Sequence, residues 1–88
     1  MYEMSGVLRE GKEGGYIVRA LDTPVILLDK KHDPTQQYLK AFGKQLLGKK
    51  VNILIIEQHD NYWLAQIAPD ELKEKGFGRA QERKFGGK

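Results

Sequence analysis

The chain has 88 residues, a length that suits one small domain. Its hydrophobic fraction of 40% and charged fraction of 31% are typical of a globular protein, and the lack of cysteine excludes disulfides and thiolate metal sites. The formal net charge is only +3, and because the charges of residues 1–75 cancel, the whole excess lies in residues 76–88. This balance excludes a purely electrostatic binder of duplex DNA, which needs a far more basic surface.

The sequence shows no pattern of secretion or membrane insertion. Its start lacks the basic and apolar segments of a signal peptide, and its longest apolar run, residues 53–56, is too short to cross a bilayer. We therefore expect a cytoplasmic protein that does not contact a membrane. Neither His32 nor His59 stands in a metal-ligand spacing, so we expect no metal and no cofactor.

The first third of the chain predicts three β-strands. Alternating polar and apolar residues indicate the first strand, and a glycine-rich hairpin at residues 11–15 leads into the second. A turn that contains Pro24 precedes a third, short apolar strand. The predicted strands are residues 2–10, 16–21 and 25–28.

A helix and two further strands follow. Asp33 is predicted to be the helix N-cap with Pro34 at the first helical position, and Gly48 suits the residue that ends the helix. Tyr38, Leu39, Phe42, Leu46 and Leu47 recur at helical spacing. Strands are predicted at residues 51–57 and 62–67, and a short helix at residues 69–75.

The order strand-strand-strand-helix-strand-strand is typical of the oligonucleotide-binding (OB) fold, an all-β, five-stranded barrel with one helix. An SH3-like barrel is the alternative, although it usually lacks this helix. We expect residues 1–68 to form the barrel, residues 69–75 a short C-terminal helix and residues 76–88 a disordered basic tail.

Two segments resemble the S-one-type RNA-binding domain, a branch of the OB fold. Residues 14–18, Gly-Gly-Tyr-Ile-Val, are similar to its second strand, and residues 47–57, which contain Gly-Lys-Lys-Val-Asn-Ile, are similar to its fourth. Residues 61–67 stand where its last strand would. The resemblance covers most of residues 2–67 and implies RNA binding on the barrel surface. The chain departs from the family at residues 24–29, which lack its usual surface histidine.

In an OB barrel the ligand lies across the second and third strands, between the first hairpin and the turn that joins the last two strands. Arg19 predicts that Ile17, Arg19 and Leu21 face outward and that Tyr16, Val18 and Ala20 point inward, because arginine is rarely buried without a partner. In the same way, Gln66 predicts that Trp63, Ala65 and Ile67 point inward. Arg9, Lys12 and Arg19 are candidate phosphate contacts. Solvated surface charge is the alternative interpretation, because acidic residues are interspersed among them. The candidate nucleic-acid-binding residues are Arg9, Lys12, Tyr16, Arg19, His59, Tyr62, Arg79, Arg83 and Lys84.

Aromatic and basic residues supply the remaining candidates. Tyr62, beside the turn that holds His59, is a candidate for stacking on a base, and cross-strand packing is the alternative. The tail places basic residues between Phe77 and Phe85, a pattern that suits single-stranded nucleic acid. An acid-free block of four lysines, Lys40, Lys44, Lys49 and Lys50, is interpreted as a solubilising face, and contact with a phosphate backbone is the alternative. Lys40 and Lys44 are four residues apart, so we expect them to share a helix face.

Two functions from different classes follow. The first is a binder of single-stranded nucleic acid, with RNA favoured over single-stranded DNA. The alternative is a protein-interaction or self-association module that uses an outward apolar set. That set is Ile17, Leu21, Leu54, Ile56 and Leu64. We do not expect an enzyme, because the sequence offers no phosphate-binding glycine loop and no nucleophile–base pair.

Overall fold

The computed structural model describes residues 1–77, which form five strands, two α-helices and one turn of 3-10 helix. The strands are β1 (Tyr2–Glu10), β2 (Tyr16–Arg19), β3 (Val25–Leu28), β4 (Lys50–Gln58) and β5 (Tyr62–Ile67). The helices are α1 (Asp33–Phe42) and α2 (Pro69–Glu74), and the 3-10 turn is Lys12–Gly14. The predicted element order is confirmed, and three of the predicted strands have the observed bounds.

The five strands close into a barrel in the order β1-β2-β3-β5-β4, with β4 pairing back onto β1. Every pairing is antiparallel except that of β3 with β5, which is parallel. A parallel pair needs a crossover connection, and here the crossover runs through α1 and β4. This arrangement confirms the predicted all-β OB barrel with one main helix.

The strand β1 closes the barrel by pairing with two strands in succession. Its residues Tyr2–Val7 pair with β4, and its residues Val7–Glu10 pair with β2. Gly6 stands at the change of partner. A Cβ at Gly6 would collide with the Val18 side chain and lie 3.0 Å from the Arg19 carbonyl oxygen. The absence of a side chain at this position therefore lets β2 cross close to β1.

Alternation along the strands separates the core from the outer wall. Val18 is fully buried while Arg19 is exposed, as the sequence predicted. On β5, Ala65 and Ile67 point inward as expected, and Trp63 packs against the core from one end of the barrel. The buried residues of the core cluster are Leu8, Val18, Ile26, Leu28, Tyr38, Leu39, Val51, Ile53, Ile55, Ala65, Ile67 and Leu72.

Both predicted ends of the main helix are wrong. The N-cap is His32, not Asp33: His32 has extended backbone, and its Nδ1 accepts a hydrogen bond from the Thr35 amide at 3.3 Å. The helix ends at Phe42 instead of running to Gly48, and Gly43 lies directly against the Tyr16 ring. Gly48, with φ +80°, instead makes the left-handed turn into β4 and donates to the Leu8 carbonyl at 2.8 Å.

A buried threonine ties α1 to the barrel. Thr35 is fully buried, and its Oγ1 accepts a hydrogen bond from the Ile67 amide at 2.9 Å. The same Oγ1 lies 2.8 Å from the His32 ring, so the helix start and the end of β5 share one polar atom. This contact satisfies a backbone group that the end of β5 would otherwise bury unpaired.

The short helix α2 docks beside α1 through Glu71. The Tyr38 hydroxyl donates to one Glu71 oxygen and the Asn52 amide to the other, each at 3.2 Å. Beyond α2, the Phe77 ring contacts the rings of Tyr38 and Phe42, with centroids 6.2 and 6.1 Å away. Phe77 therefore packs against α1, while the disorder of the tail stays a prediction. Its remainder, residues 78–88, lies outside the described residues.

The close contact at Gly6 predicts that one added methyl group lowers the stability of the barrel. Gly6→Ala places a Cβ against Val18 and the backbone of Arg19, so we expect it to lower the free energy of unfolding by about 1–3 kcal/mol. Urea denaturation measures the change. Gly15→Ala is the control, because its Cβ would meet nothing closer than 3.6 Å, and its expected change stays within about 0.5 kcal/mol. Equal midpoints for the two variants would contradict the proposed close crossing.

Burial of Tyr38 predicts a loss of stability in alkali. Burial and the adjacent Glu71 charge raise the pKa of Tyr38 above its ordinary value of about 10. The unfolded chain therefore releases this proton first, and the free energy of unfolding falls as pH rises above about 10. Tyr38→Phe should remove that part of the pH dependence, measured by urea denaturation from neutral pH upward, with Tyr62→Phe as the control. An unchanged pH dependence in Tyr38→Phe would refute this account.

Candidate nucleic-acid interface

An open groove crosses the outer face of β2, β3 and β5. It is bounded by the first hairpin, the loop between β3 and α1, and the last part of β4. Its volume of about 1450 Å³ exceeds the roughly 300–1,000 Å³ of ordinary small-molecule pockets. The position is the one where OB barrels bind their ligands, and the shape suits an extended chain.

The floor of the groove is a row of aliphatic side chains. Ile17 lies opposite Leu27 on the neighbouring strand, and Leu27 lies opposite Leu64 on the next. Directly opposed residues point to the same side of a sheet, so these three side chains are adjacent on the outer wall. Leu27 remains 37% exposed, which is unusual for a leucine in mid-strand. The floor therefore offers apolar surface to a ligand.

The first hairpin places Lys12 at one rim. The Gly11 amide donates to the Gly15 carbonyl at 2.8 Å and closes the loop. Glu13 and Gly14 both have left-handed backbone, with φ of +60° and +79°. Left-handed backbone costs little free energy at glycine and more at glutamate. Two consecutive residues in this conformation reverse the chain direction and make the hairpin turn tight.

Asp29 organises the opposite rim. Its Oδ1 accepts from the Lys31 amide, and its carbonyl accepts from the Gln36 side chain, both at 2.9 Å. Its Oδ2 also accepts from Gln66 at 3.4 Å. These contacts hold the loop between β3 and α1 and place the side chains of Lys30 and Lys31 in the groove lining.

A pair of stacked rings stands at the start of β5. The His59 and Tyr62 rings lie 4.7 Å apart with an interplanar angle of 29°, and the His59 amide donates to the Tyr62 carbonyl at 2.9 Å. The His59 Nε2 lies 2.8 Å from a Glu57 carboxylate oxygen. The tyrosine ring is therefore held in place at the groove edge before any ligand arrives.

The groove lining carries balanced charge. Four of its residues are lysines and four are acidic; they are Lys12, Lys30, Lys31, Lys40, Glu10, Glu13, Asp29 and Glu57. Two of the acids are engaged within the protein, Asp29 by its loop and Glu57 by His59. The lysines make no ion pair among residues 1–77, so they are the groups available to an anionic ligand.

The predicted site residues separate into three groups. Lys12, Tyr16 and Tyr62 line the groove, and His59 adjoins it through its stack on Tyr62. Tyr16 points inward as predicted, and its ring rests on Gly43, so only part of it is available to a ligand. Arg9 and Arg19 do not line the groove and are exposed on the neighbouring wall. Arg79, Arg83 and Lys84 lie outside the described residues.

Sequence patterns missed part of the groove. Leu27 was not assigned a face, because all four residues of its strand are apolar and no polar residue marks the outer side. Lys40 was interpreted as solubilising, yet it lines the groove, while Lys44 lies beyond the end of α1 and does not share a helix face with it.

The fold and the groove define the class: a closed five-stranded barrel with the OB element order and an open groove on its β2–β3 face. Within residues 1–77, no cluster of three or more histidine, aspartate or glutamate side chains is placed to hold a metal ion. None of the helices in that part of the chain has the length and apolar character that crossing a membrane requires. No protein-family model, curated protein or solved structure matches the sequence.

Proposed function

We propose that this protein binds single-stranded nucleic acid in the groove, with RNA preferred to DNA. The observation that carries the proposal is the groove itself, which runs across β2 and β3 between the hairpin rim and the His59–Tyr62 stack. OB barrels bind oligonucleotides at this position. The preference for RNA rests on the resemblance of residues 14–18 and 47–57 to the S-one-type domain.

The chemistry of the groove suits bases more than it suits a polyanionic backbone. The aliphatic floor of Ile17, Leu27 and Leu64 packs against unstacked bases and sugars, and Tyr62 stacks on one base. Stacking on an aromatic side chain is worth about 1–3 kcal/mol per base. The rim lysines contact phosphates, while the neighbouring acids keep the electrostatic part of the affinity small.

A shallow salt dependence is the first expected result. Four groove lysines give a slope of log K against log salt of about −3 for a short 5′-phosphorylated strand with one phosphate per nucleotide, because each phosphate contact contributes about −0.7. Fluorescence anisotropy with labelled oligo-U and oligo-dT of about 4 nucleotides, the lower site size of an OB fold, measures this slope. The double variant Lys12→Gln/Lys31→Gln should reduce it to about −1.5.

The matched control for that variant is Lys44→Gln/Lys49→Gln. It removes the same charge from exposed lysines outside the groove, so it should bind the short strand like the unmodified protein. If the two double variants lose the same affinity and salt dependence, the loss comes from the change in net charge and not from the groove lysines. The absence of binding to either oligonucleotide at low salt would overturn the proposed function.

The exposed aliphatic row supports a second candidate, a protein-interaction module. Ile17, Ile56 and Leu64 line the open groove, so α2 does not cover them. A second copy of the chain or a partner segment would bury this row and Leu27 with it. Apolar side chains without charge are typical of the centre of a protein interface.

Self-association tests this candidate. If it is correct, the protein dimerises in sedimentation experiments, and Leu27→Lys weakens the dimer at least about tenfold, which corresponds to about 1.4 kcal/mol. Leu21→Lys is the control, because Leu21 is 90% exposed and lies outside the groove. A protein that remains monomeric at all concentrations and binds oligonucleotides favours the first proposal.

A further inference from the structure

Three basic side chains meet on the outer wall that adjoins the groove. Val7 on β1 lies opposite Arg19 on β2 and opposite Lys50 on β4. Arg19 and Lys50 therefore flank Val7, with Cα atoms roughly 10 Å apart across two strand spacings. Arg9 is two residues further along β1 and points to the same side. We call Arg9, Arg19 and Lys50 the β1 patch.

The β1 patch differs from the groove in its charge. All three side chains are exposed, and among residues 1–77 none of them forms an ion pair. The next outward residue of β1 is Ser5, which hydrogen-bonds Asn52 at 2.9 Å, so the first acid on this face is Glu3. The Glu71 carboxylate of α2 is held by Tyr38 and Asn52. The patch is therefore a local concentration of positive charge in a part of the chain, residues 1–75, that has no net charge.

The β1 patch is continuous with the groove. Arg9 lies opposite Ile17, and Ile17 is the first residue of the aliphatic floor. One row thus runs across the outer wall from Arg9 through Ile17 and Leu27 to Leu64. A chain that lies in the groove and leaves it over Ile17 passes next over the patch.

We infer that the β1 patch binds the phosphates of a nucleic-acid strand that is longer than the groove. This inference rests on the proposed function and extends its site around the barrel. The patch holds two guanidinium groups and one ammonium group around Val7, and these are the groups that contact phosphates in nucleic-acid complexes. Binding there does not depend on base sequence, and it adds affinity only when the strand reaches past Ile17.

A comparison of strand lengths tests the inference. Oligo-U strands of about 4 and about 16 nucleotides, the two ends of the site-size range of OB folds, are titrated by fluorescence anisotropy at several salt concentrations. For the unmodified protein, the longer strand should show a salt slope steeper by about 2, because three further phosphate contacts each add about 0.7. The triple variant Arg9→Gln/Arg19→Gln/Lys50→Gln should lose this difference and bind the longer strand roughly tenfold more weakly at moderate salt.

Single variants provide a matched control. Lys50→Gln should weaken binding of the longer strand, whereas Lys44→Gln, the same change at an exposed lysine outside both surfaces, should not. Because the substituted side chains are exposed, thermal denaturation should show unchanged melting temperatures.

The outcomes separate the inference from the proposed function. If the triple variant binds both strands like the unmodified protein, the inference is wrong and the groove remains the binding site. If the triple variant loses affinity equally for both strands, the patch does not act on the strand beyond the groove, and the inference is again overturned. If the unmodified protein binds neither strand, the proposed function fails, and the inference fails with it.

Discussion

The surface of this protein depends on one crowded crossing, where β1 changes its partner from β4 to β2. The barrel closes because a single strand serves both neighbours, and it can do so because Gly6 leaves room for the Val18 side chain and the Arg19 backbone. Closure leaves no open sheet edge between β1 and β4. It also sets the register in which Arg19, Val7 and Lys50 become neighbours. The same crossing thus determines both the fold and the charge on its outer wall.

The helix and the loops build the remainder of the candidate site around that barrel. Thr35 joins the start of α1 to the end of β5, and Asp29 joins the preceding loop to the helix and to Gln66. These hydrogen bonds fix the position of the loop that carries Lys30 and Lys31 relative to the aliphatic floor of the groove. The backbone of the rim is therefore ordered in the absence of a ligand, so the proposed binding would cost little backbone conformational entropy there.

Local patterns in the sequence predicted the strands and their facing wherever polar and apolar residues alternate. Arg19 set the facing of β2, and Gln66 set that of β5. The pattern was uninformative in β3, where Val25–Leu28 are all apolar, so the exposure of Leu27 could not be foreseen. The end of α1 could not be predicted from the local sequence either, because Gly43 and Gly48 are both plausible helix-ending residues. The contact of Gly43 with Tyr16, a residue distant in sequence, distinguishes the two positions. The β1 patch depends on the pairing of β1 with β4, residues some 45 positions apart in the chain.

The absence of net charge in residues 1–75 does not argue against a nucleic-acid ligand, because the barrel separates its charges by position. Acids and lysines alternate around the groove, where a largely aliphatic floor favours bases and sugars. Three cations that form no ion pair within residues 1–77 gather on the adjoining wall, around Val7. Under the proposed function, the groove floor contacts bases, and the rim lysines and the β1 patch contact phosphates, so neither surface needs the strong overall positive charge of a duplex-DNA binder. The total charge of the chain cannot reveal this arrangement, because the arrangement depends on which residues the strand pairing brings to the same side of the sheet.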